Sequence, residues 1–306
     1  MAHLAVGGKL PDHIKNYLTA CDDGSFLPIT TPSRYLPDIL EMEIKPSDII
    51  VNSWPKSGTT WMQYIVTQII CGEEFLKQTV HVIHKNIFIE SAQNPLKLEK
   101  SEGMYKIAEN YPSPRLLKSH LKLPMLPKCL LDKKAKVIYV VRNPKDAAVS
   151  FFNYCRKRTT YPYYKDWQEF YEHFCNGLLP YGDWFEHVLT LWARRNESNV
   201  LIIKYEDMKK DLTNTVHSVS KFLRKPLSER ELADICDRSS FDAMKENPIA
   251  NPDLTGILLR ERDPIPFMRK GVIGDWKNYF TVAQNEHFDE LYRQKIKGSG
   301  LELDFE

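Results

Sequence analysis

The run Asp48-Ile49-Ile50-Val51-Asn52 is short, apolar and largely β-branched, as a buried strand requires, and it leads directly into Trp54-Pro55-Lys56-Ser57-Gly58-Thr59-Thr60. Beyond that loop Trp61, Ile65 and Ile69 recur every fourth residue through Ile70, which predicts a helix, and Cys71-Gly72 offers its stop. A strand, a small-residue loop and a helix in succession form a cradle for an anion. Small residues let backbone N–H groups approach the ligand, and the helix N-terminus behind them favours negative charge. The loop is not the nucleoside triphosphate loop GxxxxGK[ST], because it has one glycine and Lys56 precedes it. That order argues against an ordinary ATP or GTP enzyme.

The same alternation recurs further along. Lys136-Val137-Ile138-Tyr139-Val140-Val141-Arg142 is a strongly apolar strand, followed by Asn143 as a helix cap, Pro144 in the first turn and Asp146 three beyond the cap. A helix is expected through about Lys157. Val200 to Tyr205 reads as a third central strand, preceded by a helix near Gly182 to Arg195 and followed by one from Glu206 to Leu223. Strands alternating with helices predict an α/β fold, with a central parallel sheet covered by helices on both faces and ligands at the carboxyl ends of the strands. The loops after Asn52, Arg142 and Tyr205 then share one edge. With no internal repeat and 19 prolines spread through loop-like segments, residues 1–306 are expected to form a single domain, residues 1–45 being the least informative.

Lysine and arginine number 42 and aspartate and glutamate 40, so the net charge is only +2 and any anion site must be local, not a nucleic-acid footprint. The six cysteines are scattered and form no CxxC pair, which fits reduced thiols and speaks against zinc. No window approaches the roughly 18 to 20 apolar residues of a membrane span, and the first residues carry no signal-like run, so a cytoplasmic protein is expected. Asn196-Glu197-Ser198 matches a glycosylation sequon, a tripeptide common by chance.

PKSGTTW after a short strand closely resembles the 5′-phosphosulfate-binding loop of the cytosolic sulfotransferases. Leu116-Leu117-Lys118-Ser119-His120-Leu121 follows, then Val140-Val141-Arg142-Asn143-Pro144-Lys145-Asp146 leading to Ser150. Lys204-Tyr205-Glu206-Asp207-Met208 comes next, and Phe267-Met268-Arg269-Lys270-Gly271-Val272-Ile273-Gly274-Asp275-Trp276 last. All stand in that family's order and spacing, from roughly Pro46 to past Glu286.

The resemblance implies a transferase that moves a sulfuryl group from 3′-phosphoadenosine-5′-phosphosulfate (PAPS) to the hydroxyl of a small, largely apolar acceptor, leaving 3′-phosphoadenosine-5′-phosphate (PAP), with no metal. By the same resemblance Lys56, Ser57, Gly58, Thr59 and Thr60 hold the phosphosulfate, with Lys56 at the bridging oxygen. Trp61, Tyr205, Ser239, Phe241 and Met244 surround the adenine. Arg142, Ser150, Phe267, Arg269, Lys270 and Gly271 hold the 3′-phosphate side, where arginine's planar fork meets phosphate oxygens in pairs. His120 is implied as the general base that takes the acceptor's proton. An imidazole suits that task because it titrates near neutrality. Lys118 adds positive charge beside the transferred group, and the step is direct in-line displacement.

Two positions depart from the family's usual residues: Trp54 stands where tyrosine is common, and Ser239 replaces threonine. The acceptor-side segments Asn86 to Ala92 and Thr159 to Tyr164 do not closely match the vertebrate phenol-type pattern. They are rich in aromatic residues, and with Phe88, Phe152 and Tyr154 beside Lys118 and His120 they are expected to wall an apolar pocket for a phenol, a steroid or another alcohol. Lys277, Thr281, Val282 and Glu286 resemble the family's short dimerisation motif and imply a homodimer. Two other readings compete. A phosphotransferase would use the same strand-loop-helix element, and a noncatalytic nucleotide-binding module would have no need of the retained Lys56, Lys118 and His120.

Overall fold

Five parallel strands form the central sheet in a computed structural model, which describes residues 10–77, 81–92, 103–132, 134–256 and 262–306. The three strands expected from sequence are β3 (Ile49–Asn52), β6 (Lys136–Val141) and β7 (Val200–Lys204), lying side by side. On the other side of β3 come β5 (Leu116–Ser119) and then β4 (Asn86–Phe88). A separate antiparallel pair, β1 (Leu18–Ala20) and β2 (Phe26–Pro28), belongs to the N-terminal segment whose sequence was uninformative.

Every residue of β3 is buried, because the strand is central and both faces of the sheet are covered. Side chains alternate across the pleat. Ile50, Val137, Tyr139 and Val141 pack into one core, whereas Ile49, Val51, Ile138 and Val140 pack with Met62, Ile65 and Val66 of the following helix into another. Asn52 is paired with both Ser119 of β5 and Tyr139 of β6, so the loops that leave these three strands start from one level.

The helix after the first loop runs Thr59–Lys77 and is interrupted at Gly72, whose φ of 60° and ψ of −155° are not helical. The expected stop is therefore a break within a longer element. Asn143 caps the helix Pro144–Lys157, its side-chain oxygen accepting the Asp146 N–H at 2.8 Å, as the sequence pattern requires. The stretch expected as one helix from Glu206 to Leu223 is two, Tyr205–Lys210 and Leu212–Leu223, divided at Asp211, which caps the second. The helix before β7 is Trp184–Trp192, shorter than expected because Asp183 caps its start, accepting the Phe185 N–H at 2.6 Å.

At the opposite edge of the sheet from these loops, Arg115 and Asp48 form an ion pair with both side chains fully buried. Arg115 Nε also donates to Asp48 Oδ1 at 2.8 Å, and the guanidinium donates to the carbonyls of Ala108 and Glu43. This pair ties the starts of β3 and β5 together.

Candidate active site

One cavity opens at the carboxyl edge of β3, β5, β6 and β7, and it brings together most residues singled out from sequence. Its floor is the first loop. Lys56 has a φ of 66°, a left-handed conformation that costs a non-glycine residue free energy and is found where a site over-determines the backbone. At Gly58, with φ of 106°, an added Cβ would stand 2.9 Å from the Tyr205 ring. Only glycine lets the loop pass Tyr205 and present its N–H groups with those of the helix that begins at Thr59. Thr60 lines the cavity too, while the Thr59 hydroxyl is 2.5 Å from that of Ser53. The Ser57 hydroxyl is buried and has no hydrogen-bond partner among the described residues.

The Lys56 ammonium lies 4.0 Å from the centroid of Phe267 and 4.6 Å from that of Tyr154, a cation held against two ring faces. Burial, reinforced by the charges of Arg142 and Lys118, pushes its pKa down to about 7. Arg142 joins this loop to the late basic segment, donating to the Lys56 carbonyl at 3.3 Å and to the Val272 carbonyl at 3.2 Å, with its guanidinium over the Tyr205 ring. Its Nε is buried and has no partner among the described residues. Asp146 fixes the far side of the late segment by accepting the N–H groups of Gly274 at 2.8 Å and Trp276 at 2.9 Å. Both Arg269 and Lys270 pair with the carboxylate of Asp275, and these donors outweigh burial to hold its pKa below the usual carboxylate range. Ser150 and Gly271 complete this side of the cavity.

Trp61, Tyr205, Phe241 and Met244 line the cavity beside Gly271. Trp61 is held in place by its indole N–H, which donates to the Ser239 carbonyl at 2.7 Å, and its ring meets Tyr205 edge-on. Ser239 stands one step behind. It is fully buried, and its hydroxyl accepts from Gln68 Nε2 at 3.0 Å and does not face the cavity.

His120 follows β5 immediately, and its Nδ1 lies 2.8 Å from the Ser53 carbonyl. A carbonyl only accepts, so Nδ1 carries the hydrogen and Nε2 keeps a free lone pair. Burial and the neighbouring Lys118 hold the imidazole well below its ordinary pKa, so it is neutral at physiological pH. The backbone N–H of His120 donates to Glu90 Oε1 at 2.6 Å. Glu90 is fully buried, and that burial raises its pKa, just as burial lowers that of Lys118. The Lys118 ammonium lies 4.1 Å over the Phe88 ring, and His120 stands edge-on between Phe88 and Tyr181.

Phe152 requires a correction. It was expected at the acceptor pocket, but its ring points into the core against Trp167, Phe170 and Tyr279. On the helix Pro144–Lys157 the cavity-facing positions are Ser150 and Tyr154, four residues apart, and Phe152 between them faces away. Tyr161, Met268 and Lys209 also line the cavity, and of these Lys209 belongs to no segment marked from sequence. Tyr161 belongs to the aromatic loop flagged from sequence, and Lys209 follows Tyr205 by one helical turn, a spacing that only gains meaning once Tyr205 is placed. The backbone carbonyls of Thr159 and Tyr161 accept from Arg262, which anchors that loop. Trp54, the departure before the loop, is fully buried among Phe151 and Phe174 and serves the core.

Residues 46–300 match the sulfotransferase domain family. The chain belongs to that family. Sulfotransferase 1C2 of Homo sapiens is 39% identical over 266 residues, covering 86% of this chain and 88% of its own. Sulfotransferase 1B1 of Mus musculus is 37% identical, with 87% and 88% covered. Among solved structures, a retinol dehydratase complexed with retinol and PAP superposes with a TM-score of 0.84 at 26% identity, covering 92% of this chain and 90% of that one. Mouse sulfotransferase SULT7A1 complexed with PAP gives 0.75 at 34% identity, with 90% and 93% covered. This sulfotransferase is accordingly a PAPS-dependent transferase on a parallel α/β fold.

Proposed function

We propose that this sulfotransferase passes the sulfuryl group of PAPS to a hydroxyl on a small, largely apolar acceptor, with His120 as the general base. One observation carries the reading: the free Nε2 of a neutral imidazole, fixed by the Ser53 carbonyl, belongs to the same cavity as Lys56 and Lys118. A base at that point receives the acceptor's proton as the oxygen attacks sulfur. The cations of Lys56 and Lys118 lie where charge shifts onto the departing phosphate oxygen.

The cavity fits the nucleotide on its own evidence. Buried polar atoms are nearly always partnered, and Ser57 Oγ and Arg142 Nε, which flank the loop and the late segment, are among those left open among the described residues. At Gly271, with φ of 65°, an added Cβ would lie 2.2 Å from the Phe241 ring, so the loop and the aromatic wall meet without any spare room. Lys56 to Thr60 then hold the phosphosulfate, and Trp61, Tyr205, Phe241 and Met244 the adenine. Arg142, Ser150, Arg269, Lys270 and Gly271 hold the 3′-phosphate, and Ser239 acts by anchoring Trp61. The acceptor lies among Phe88, Tyr154, Tyr161, Lys118 and His120. Two structures of retinol dehydratase, one with retinol and one with androsterone, hold PAP as well, which supports an apolar acceptor.

Residues 1–306 act as one sulfotransferase domain in the cytoplasm on this reading; no helix among the described residues is long and apolar enough to cross a membrane. The chain forms a homodimer through Lys277, Thr281, Val282 and Glu286. Val282 supports this: it is 77% exposed at the start of the helix Val282–Ile296, held there by the Thr281–Gln284 capping box. Val282→Glu is expected to shift the protein from dimer to monomer in sedimentation velocity, and a native monomer would dismiss the segment.

PAP affinity should depend on pH through Lys56. The free ammonium titrates at about 7 because of burial, and a bound anion raises that value. Affinity is therefore full below that pH and falls as pH rises through it, by up to about tenfold per unit until the bound value is reached. Calorimetric titrations between pH 7 and 9 measure this, and a flat profile would remove Lys56 from the nucleotide. The function itself is tested by transfer of labelled sulfate from PAPS to a panel of phenols, steroids, retinoids and aliphatic alcohols. Stabilisation by ATP with Mg²⁺ in place of PAP would favour a phosphotransferase instead.

A further inference from the structure

His187, which no sequence pattern marks, is fully buried on the helix Trp184–Trp192 and outside the cavity, yet both of its ring nitrogens are engaged. Its Nδ1 lies 2.8 Å from the Tyr139 hydroxyl and its Nε2 lies 2.9 Å from the His120 carbonyl. His120 Nδ1 completes the path by donating to the Ser53 carbonyl at 2.8 Å. Three hydrogen bonds thus form a circuit of side chains from β6, through the helix and His120, to the Ser53 carbonyl where the phosphosulfate loop begins.

The sense of the circuit is forced at every step. A peptide N–H can only donate and a carbonyl can only accept. The His120 carbonyl accepts from His187 Nε2, which leaves Nδ1 of that neutral ring to accept the Tyr139 hydroxyl hydrogen, and His120 carries its own hydrogen on Nδ1. Aligned bonds of this kind polarise one another in a low-dielectric interior. Burial holds His187 down to about 4, so the ring stays neutral and does not break the sequence by charging.

We infer that His187 and Tyr139 are positioning residues, which hold the backbone of His120, and through it the imidazole, in register against the phosphosulfate loop. The inference rests on His120 being the base. Donor and acceptor sides of the reaction are carried by different strands, and the circuit adds a side-chain tie between them to the strand pairing and the Asn52–Leu121 bond. A displacement of about 1 Å between reacting groups can cost on the order of 100-fold in rate. The circuit acts on that distance and touches neither nucleotide nor acceptor.

Purified full-length protein carrying His187→Leu is expected to lose kcat by on the order of 100-fold, with PAP affinity and acceptor KM unchanged. His187→Gln keeps an amide N–H that can reach the His120 carbonyl and should recover most of that rate. Tyr139→Phe, which preserves core volume, should lower kcat by the same route to a smaller extent and carries the test if the leucine variant does not fold. Native kcat in Tyr139→Phe and in a folded His187→Leu protein would overturn the inference. So would a fall in kcat matched by an equal loss of PAP binding, or a glutamine variant no better than leucine in a folded protein. His120→Ala run in parallel separates the two ideas: full transfer without His120 defeats the base assignment, whereas a dead His120→Ala beside fully active His187 and Tyr139 variants defeats only the circuit.

Discussion

His120→Ala is expected to lower sulfuryl transfer by on the order of 10²–10⁴-fold, the contribution of a positioned general base, while PAP affinity stays close to native. The imidazole reaches the cavity beside Lys118 and between Phe88 and Tyr181, and none of the contacts that hold it is with Trp61 or Phe241. Its removal deletes the proton acceptor and leaves the nucleotide cradle of Lys56, Arg142 and the late basic segment in place. His120→Asn is a useful companion. Its amide N–H can still satisfy the Ser53 carbonyl, so the local fold has a donor where Nδ1–H stood, but no lone pair replaces Nε2. Both variants should therefore be inactive and both should bind PAP. Single-turnover rates and calorimetric PAP titrations measure the two quantities separately, and a variant that loses PAP binding along with turnover would show that His120 serves the nucleotide.

The second large effect concerns stability and lies at the other end of the sheet. Arg115→Leu is expected to destabilise the fold by about 3–5 kcal/mol, the cost of stranding one partner of a buried ion pair. Asp48 is fully buried and its carboxylate receives two guanidinium bonds, so without Arg115 only the Lys45 backbone N–H, at 2.7 Å, would be left to it. The carbonyls of Ala108 and Glu43 would lose their donor as well. Replacing both partners by leucine should recover a substantial part of the loss, because two apolar residues leave no uncompensated charge. Urea unfolding of the two variants measures the difference. Equal stability of Arg115→Leu and the native protein would mean that water reaches Asp48.

The strand-loop-helix around Lys56 was legible because its signals are local. A β-branched run, small loop residues and a four-residue apolar spacing each act over a few positions, and all fall where the structure puts β3 and its helix. The Asn143 cap was legible for the same reason, since an N-cap and its partner are three residues apart. Errors arose where a residue's direction, not its identity, decided its role. Phe152 lies two residues from Ser150 and Tyr154, and a helix turns it to the core. Ser239 was placed in the right neighbourhood, but its hydroxyl is committed to Gln68, 171 positions away in sequence.

The order of motifs in the chain was enough to determine the family, the parallel α/β fold and the set of charged residues at one sheet edge. These follow from local propensity and from patterns that depend on neighbours along the chain. What the tertiary structure alone decided is which proton each group carries. The neutrality of His120, the depressed pKa of Lys56 and the circuit through Tyr139 and His187 come from burial and from partners on four separate elements. Desolvation and hydrogen-bond direction depend on distances across space, and one-dimensional spacing does not contain those distances.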